Sequence, residues 1–259
     1  RGLLSYATVH ALHQAVQLLA RPDGAPWLMP LHLLALALAV KRPRLAMGLV
    51  ALLGAAQCAL AFPRTATHQW LGVVVSLLFC LLGEDEQALR RAALALPLIV
   101  FGWSGVQKLV HGYWFHGELL AWVMVSRPDV TLTVAPLLDR ETAAHLATLS
   151  RDVEGSGPFR LGGAWAVDSN AVWLLELGAP LAALSAALKE RLWWLLLALT
   201  WAIQLFAHEW QFGLLLSNLL FCAAPQAVRP RARLALAAAL VLLAVARLAG
   251  VEVSPELVR

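Results

Sequence analysis

The chain has 259 residues, 60% of them hydrophobic and 14% charged, and its mean hydropathy is +0.70. A water-soluble domain carries roughly 25% charged residues, so the composition argues for one integral membrane domain over 1–259. The net charge of +4 and the pI near 9.3 are assigned to basic loops against anionic lipid, not to nucleic acid.

In chain order, apolar runs cover 3–20, 27–40, 45–62, 69–83, 92–110, 171–187, 192–207, 211–226 and 234–249. A crossing takes about 20 apolar residues, or somewhat fewer where the bilayer thins. Unpaired backbone groups find no partner in lipid, so each run is expected to be a helix. The expected fold is an all-α polytopic bundle of eight or nine helices. No cleavable signal segment is expected. The stretch 111–170 is the one long polar region and is expected to form a cap of loops over one face. Within it, 139–152 reads as a short surface helix and 155–163 as a glycine-rich loop. Tyr113, Trp114 and Phe115 form an aromatic cluster suited to headgroup depth.

Basic residues sort by loop. Lys41, Arg42 and Arg44, then Arg90 and Arg91, then Lys189 and Arg191, then Arg229, Arg231 and Arg233 all fall on one side when nine crossings alternate. The positive-inside rule makes that side cytoplasmic, with the N-terminus. His68, Lys108, His208 and the 111–170 region are then extracytoplasmic, and the expected location is a bacterial inner membrane.

Polar groups inside apolar runs are expensive, which makes them candidates for function. Lys108 follows Ser104 by four residues and precedes His111 by three, so the three share a helix face. Burial would let such an amine act as a base; near a helix end it could equally reach for headgroups. Gly102, Gly105 and Gly112 would admit a close neighbour. Glu176 lies inside an apolar run and must face protein, either protonated or paired, and Pro180 suggests a kink beyond it. His68 opens one apolar run, and His208 and Glu209 interrupt another. Arg127 is read as an anion clamp or an ordinary loop arginine. His10 and His13 share a face but lack the further ligands a metal site needs. Cys58, Cys80 and Cys222 read as small buried hydrophobes.

The stretch SGVQKLVHGYWFHGE at 104–118 resembles the lysine helix of the vitamin K-dependent gamma-glutamyl carboxylases, members of the wider HTTM group of membrane proteins. THQWLG at 67–72, SRP at 126–128, LLELGAP at 174–180 and HEWQFGLLLSNLLF at 208–221 resemble further segments of that family in the same order. The resemblance runs from about residue 27 to 225. It departs at Gln107, where the carboxylases carry a second lysine, and in the spacing before Arg127 and after His208. The large extramembrane domain of the animal enzymes is not expected within these residues.

The resemblance implies that Lys108 is a base toward vitamin K hydroquinone or menaquinol, with O2 and CO2 as co-substrates, and that His68 supports the oxygenated stage. It implies that a glutamate-containing peptide is the partner. Arg127, His208, Glu176, Trp103, Gln107 and His111 are the expected quinone-binding residues, and no metal is expected. Two other readings stay open. One is a non-catalytic membrane partner in peptide maturation or export. The other is a quinone-interacting redox subunit like the DoxX proteins.

Overall fold

A computed structural model describes residues 5–19, 26–62, 67–112, 114–149, 160–161, 163–207 and 209–249. The described residues are all-α. In chain order the helices are α1 (Ser5–Leu19), α2 (Met29–Lys41), α3 (Pro43–Ala61), α4 (Thr67–Leu82), α5 (Glu86–His111), α6 (Glu118–Ser126), α7 (Pro128–Val134), α8 (Arg140–Leu149), α9 (Gly163–Ala182), α10 (Ala186–Lys189), α11 (Leu192–Ala207), α12 (Trp210–Ala223) and α13 (Arg229–Leu248), with 3-10 turns at Pro26–Leu28 and Ala135–Leu137.

The apolar runs fall in α1 to α5, α9 and α11 to α13, with α5 and α9 beginning six and eight residues before their runs. Among the described residues, two helices, Pro43–Ala61 and Glu86–His111, are long and apolar enough to cross a membrane; α2, α4, α11 and α12 are apolar but shorter. The 111–170 region differs from the expected cap of loops. It carries α6, α7 and α8, joined by an apolar cluster of Leu120, Ala121, Met124, Val130, Val134 and Leu146 with Leu161 and Trp165. Proline hides α7 in the sequence, because Pro128 sits in its first turn, where no hydrogen bond is lost. The short surface helix expected at 139–152 is α8. Most of the glycine-rich stretch 155–163 lies outside the described residues.

The chain gathers into two compact units, where the sequence reading treats 1–259 as one domain. Unit 1 holds residues 1–96 and 209–259, and unit 2 holds 97–208. In unit 1, α1 is the central helix and packs against α2, α3, α4, α12 and α13, while α3 and α4 lie side by side. Most of α1 is buried, including the polar side chains His10, His13, Gln14 and Gln17.

Several basic residues grouped by the sequence reading meet at one end of unit 1. Arg44 at the start of α3 pairs with Glu84 just beyond α4 at 2.6 Å. Arg229 at the start of α13 pairs with Glu86 at the start of α5 at 2.8 Å. Arg90 donates to the Ala223 carbonyl at the end of α12 at 3.2 Å. Tyr6, near the start of α1, donates to the Arg229 carbonyl at 2.7 Å. Asp85 caps α5, accepting the Ala88 N–H at 2.9 Å.

In unit 2, α11 packs on α7 and α9, and α6 packs on α7 and α8. Large apolar side chains lie exposed on both units, among them Leu52, Leu60 and Leu242 in unit 1 and Ile99, Val110, Leu175 and Leu181 in unit 2. Cys58 and Cys222 are buried and Cys80 half-buried, all three as free thiols.

Candidate functional site: a buried lysine–glutamate pair in unit 2

Small residues on α5 set the geometry. A methyl group at Gly105 would lie 2.9 Å from the Leu177 backbone nitrogen and 3.2 Å from Glu176 Cβ, and one at Gly102 would lie 2.8 Å from Pro180 Cγ. Glycines three residues apart thus let α9 cross α5 at backbone distance. The close neighbour expected at Gly102 and Gly105 is α9.

That crossing brings Lys108 and Glu176 together. Lys108 Nζ lies 2.5 Å from each oxygen of the Glu176 carboxylate and 2.9 Å from Ser104 Oγ. Only 13% of the lysine side chain and 2% of the glutamate side chain are exposed. The Ser104–Lys108 relation is the four-residue spacing read in the sequence. Of the two alternatives open for Glu176, protonated or paired, the structure has the paired one, with Lys108 as partner.

The fourth member of the cluster is Trp114, whose ring centroid lies 4.5 Å from Lys108 Nζ. A cation over an indole face gains roughly 0.5–2 kcal/mol, more as water is excluded. Gly112 makes this return possible. Its φ of 73° and the bond from its N–H to the Lys108 carbonyl, 3.0 Å, end α5 in the left-handed turn that glycine adopts freely. The chain then folds back onto α9. Ser169 Oγ donates to the Trp114 carbonyl at 2.8 Å, and Asn170 Nδ2 donates to the Phe115 carbonyl at 3.0 Å. Trp173 Nε1 donates to Asn170 Oδ1 at 2.9 Å and meets Phe115 edge-on, ring centroids 5.6 Å apart. One face of α9, carrying Ser169, Trp173 and Glu176, therefore holds both the counter-ion of Lys108 and the turn bearing its aromatic wall.

The other expected site residues take different places. Trp103 and Gln107 are exposed on α5, one position round from Ser104 and Lys108, and His111 is exposed on its last turn. Arg127 is buried at the corner where α6 ends and α7 begins. Its backbone N–H donates to the Val123 carbonyl at 2.9 Å. His68 lies in the first turn of α4, in unit 1, and its side chain is outside the described part. His208 lies outside the described residues.

Trp114, Ser169 and Asn170 are members that sequence reasoning missed. The legible signal was Gly112 directly after a helix, which turns the following aromatic back toward the helix it leaves.

An ammonium has three hydrogens, and the two carboxylate oxygens with Ser104 Oγ match them. The lone pairs left to receive another proton are then on Glu176. Lys108 becomes a base only by first passing its own proton to Glu176, so the acid–base unit is the pair. No known protein family, curated protein or solved structure matches the chain.

Proposed function

We propose that this chain is a multi-pass membrane enzyme of the vitamin K-dependent carboxylase-like kind. Its Lys108–Glu176 pair takes the proton from a reduced naphthoquinone. The observation that carries this reading is the near-complete burial of an amine and a carboxylate against each other beside an indole face. Burial of both charges is costly, and such pairs concentrate where proton transfer is needed.

The membrane part draws support from the two helices of spanning length and from the large apolar side chains on the outside of both units. Unit 1 also gathers Arg44, Arg90 and Arg229 at one end. The positive-inside rule makes that end cytoplasmic and the Lys108 end of α5 extracytoplasmic, as in a bacterial inner membrane.

The donor set fits a quinol. A phenolic hydroxyl needs a proton acceptor, which Glu176 with Lys108 provides, and a planar ring suits the indole of Trp114. Reduced naphthoquinone supplies, when bound, the two-electron reaction with O2 that makes a base strong enough for a glutamate γ-proton. Lys108 holds positive charge where phenolate charge develops, and Ser104 keeps the ammonium oriented.

The test is hydroquinone-dependent oxygen uptake and epoxide formation by the protein in lipid nanodiscs. Wild type is expected to turn over. Glu176→Gln and the uncharged double variant Lys108→Met/Glu176→Leu are expected to lose about 100-fold or more. Wild type without turnover on either vitamin K or menaquinone hydroquinone, or turnover indifferent to both variants, overturns the assignment. One observation favours a second reading, a non-catalytic partner in peptide maturation. All three ammonium hydrogens of Lys108 already have acceptors within the protein, as they would in a structural fastening between α5 and α9.

A further inference from the structure

Unit 1 buries a second polar cluster, independent of Lys108. His10, His13, Gln14 and Gln17 recur on α1 at helical spacing and are all buried. His10 and Gln14 meet α4, where Gln69, Gly72 and Ser76 follow one another at three and four residues and so occupy one face. The approach is close: a methyl group at Gly72 would lie 2.7 Å from Gln14 Nε2.

Hydrogen-bond partners fix the tautomers. His10 Nε2 lies 3.2 Å from the Gly72 carbonyl and 2.8 Å from Ser76 Oγ. The Ser76 hydroxyl itself donates to the Gly72 carbonyl at 2.9 Å. A carbonyl only accepts, and the serine hydrogen is already used, so the hydrogen between His10 and this pair sits on Nε2. A neutral His10 then carries a bare lone pair on Nδ1. His13 is set the same way, with Nε2 donating to the Gln211 carbonyl at 2.9 Å. Its Nδ1 differs in accepting from Gln14 Nε2 at 3.3 Å.

Among the described residues, His10 Nδ1 has no partner, and neither do Nε2 and Oε1 of Gln69. His10 is fully buried and Gln69 is 6% exposed. His10 meets the Gly72 carbonyl, and Gln69 lies one turn before Gly72 on the same face of α4. The ring offers one acceptor and the amide a donor and an acceptor, on neighbouring turns along the α1–α4 contact. A buried water characteristically makes about three hydrogen bonds, and an apolar guest would satisfy none of these atoms.

We propose that the α1–α4 seam around His10 and Gln69 is a binding site for a small neutral ligand that presents a hydroxyl hydrogen to His10 Nδ1. Water and a phenolic hydroxyl share that chemistry.

The test is solid-state nitrogen NMR of the full chain in nanodiscs with 15N-labelled histidine, the His10 signals being assigned by their loss in His10→Phe. The expected result is a His10 Nδ1 resonance at a hydrogen-bonded position with a cross-peak to a hydroxyl proton. 1,4-Dihydroxynaphthalene is then added as the probe. A water cross-peak that persists identifies water as the ligand, and its replacement by a probe cross-peak identifies the phenol. Gln69→Leu, which leaves the His10 contacts to Gly72 and Ser76 in place, is expected to abolish the cross-peak. A resonance at the free lone-pair position with and without the probe, or a cross-peak indifferent to Gln69→Leu, overturns the proposal.

Discussion

The two buried polar clusters are built in opposite ways. The α1 cluster of unit 1 uses neutral groups, His10, His13, Gln14 and Ser76, each held through ring nitrogens, amides or carbonyls. Unit 2 uses full charges, Lys108 against Glu176, brought to 2.5 Å by a glycine-lined helix crossing. A neutral cluster tolerates an unpartnered atom, and unit 1 has several. An ion pair does not tolerate a missing partner, because the remaining charge is stranded where water cannot reach it. The difference separates a seam with polar atoms to spare from a pair whose two charges must be kept or removed together.

The largest effect is expected where this contrast is broken outright. Lys108→Met leaves Glu176 buried with no counter-charge and should cost roughly 3–5 kcal/mol. Lys108→Met/Glu176→Leu removes both charges and should recover most of the loss. In unit 1, Ser76→Ala leaves His10 its bond to the Gly72 carbonyl, so the cost should be about 1 kcal/mol or less. Unfolding in detergent, followed by tryptophan fluorescence, measures all three. A Lys108→Met protein as stable as Ser76→Ala would show that the buried pair is not the constraint described.

A smaller effect sharpens the role of the crossing. Gly105→Ala sets a methyl group 2.9 Å from the Leu177 backbone nitrogen, and a helix backbone yields less readily than a side-chain tip. Separating α5 from α9 should cost about 1–3 kcal/mol. Gly178 on α9 is the control, since a methyl group there meets nothing within 4 Å. Gly178→Ala should stabilise by about 0.4–1 kcal/mol through the unfolded chain. Equal effects of the two alanines, measured as shifts in the same unfolding transition, would remove the crossing as an explanation for the pair.

Much of this is legible in the sequence. Apolar runs located the long helices because burial and lipid exposure both select apolar residues. Their starts were less legible. Helix α5 begins at Glu86, six residues before its apolar run at 92, because Glu86, Gln87, Arg90 and Arg91 are good helix formers that hydropathy discounts. Helix α9 likewise opens at Gly163, eight residues before its apolar run at 171, because Asp168, Ser169 and Asn170 interrupt the apolar pattern of its first turns. Lys108 and Glu176 each stood out as a charge in an apolar run. Their union needed the α5–α9 crossing, which joins residues 68 positions apart and leaves only Gly102 and Gly105 as its trace. Trp114 was read as a headgroup-depth aromatic because composition cannot show that Gly112 turns it back over Lys108.

The smallest effect concerns polarity left in water. Asp139 caps α8, with Oδ1 accepting the Thr142 N–H at 2.7 Å and Oδ2 accepting the Thr142 hydroxyl at 2.9 Å. The backbone hydrogen bond from Thr142, aided by its hydroxyl, holds the Asp139 carboxyl below the usual range. Its folded value therefore lies under its unfolded one. The stabilisation is fully present above the ordinary aspartate value of about 4, fades as pH falls, and is gone once pH passes below the depressed value. Amide exchange at Thr142 and Ala143 reads this directly. Protection should hold steady from neutral pH down to about 5 and drop under about 4. Asp139→Asn keeps an acceptor for the cap but has no proton to take up, so its protection should lose that pH dependence. If it followed the same curve as wild type, the acid sensitivity of α8 would have to come from another group.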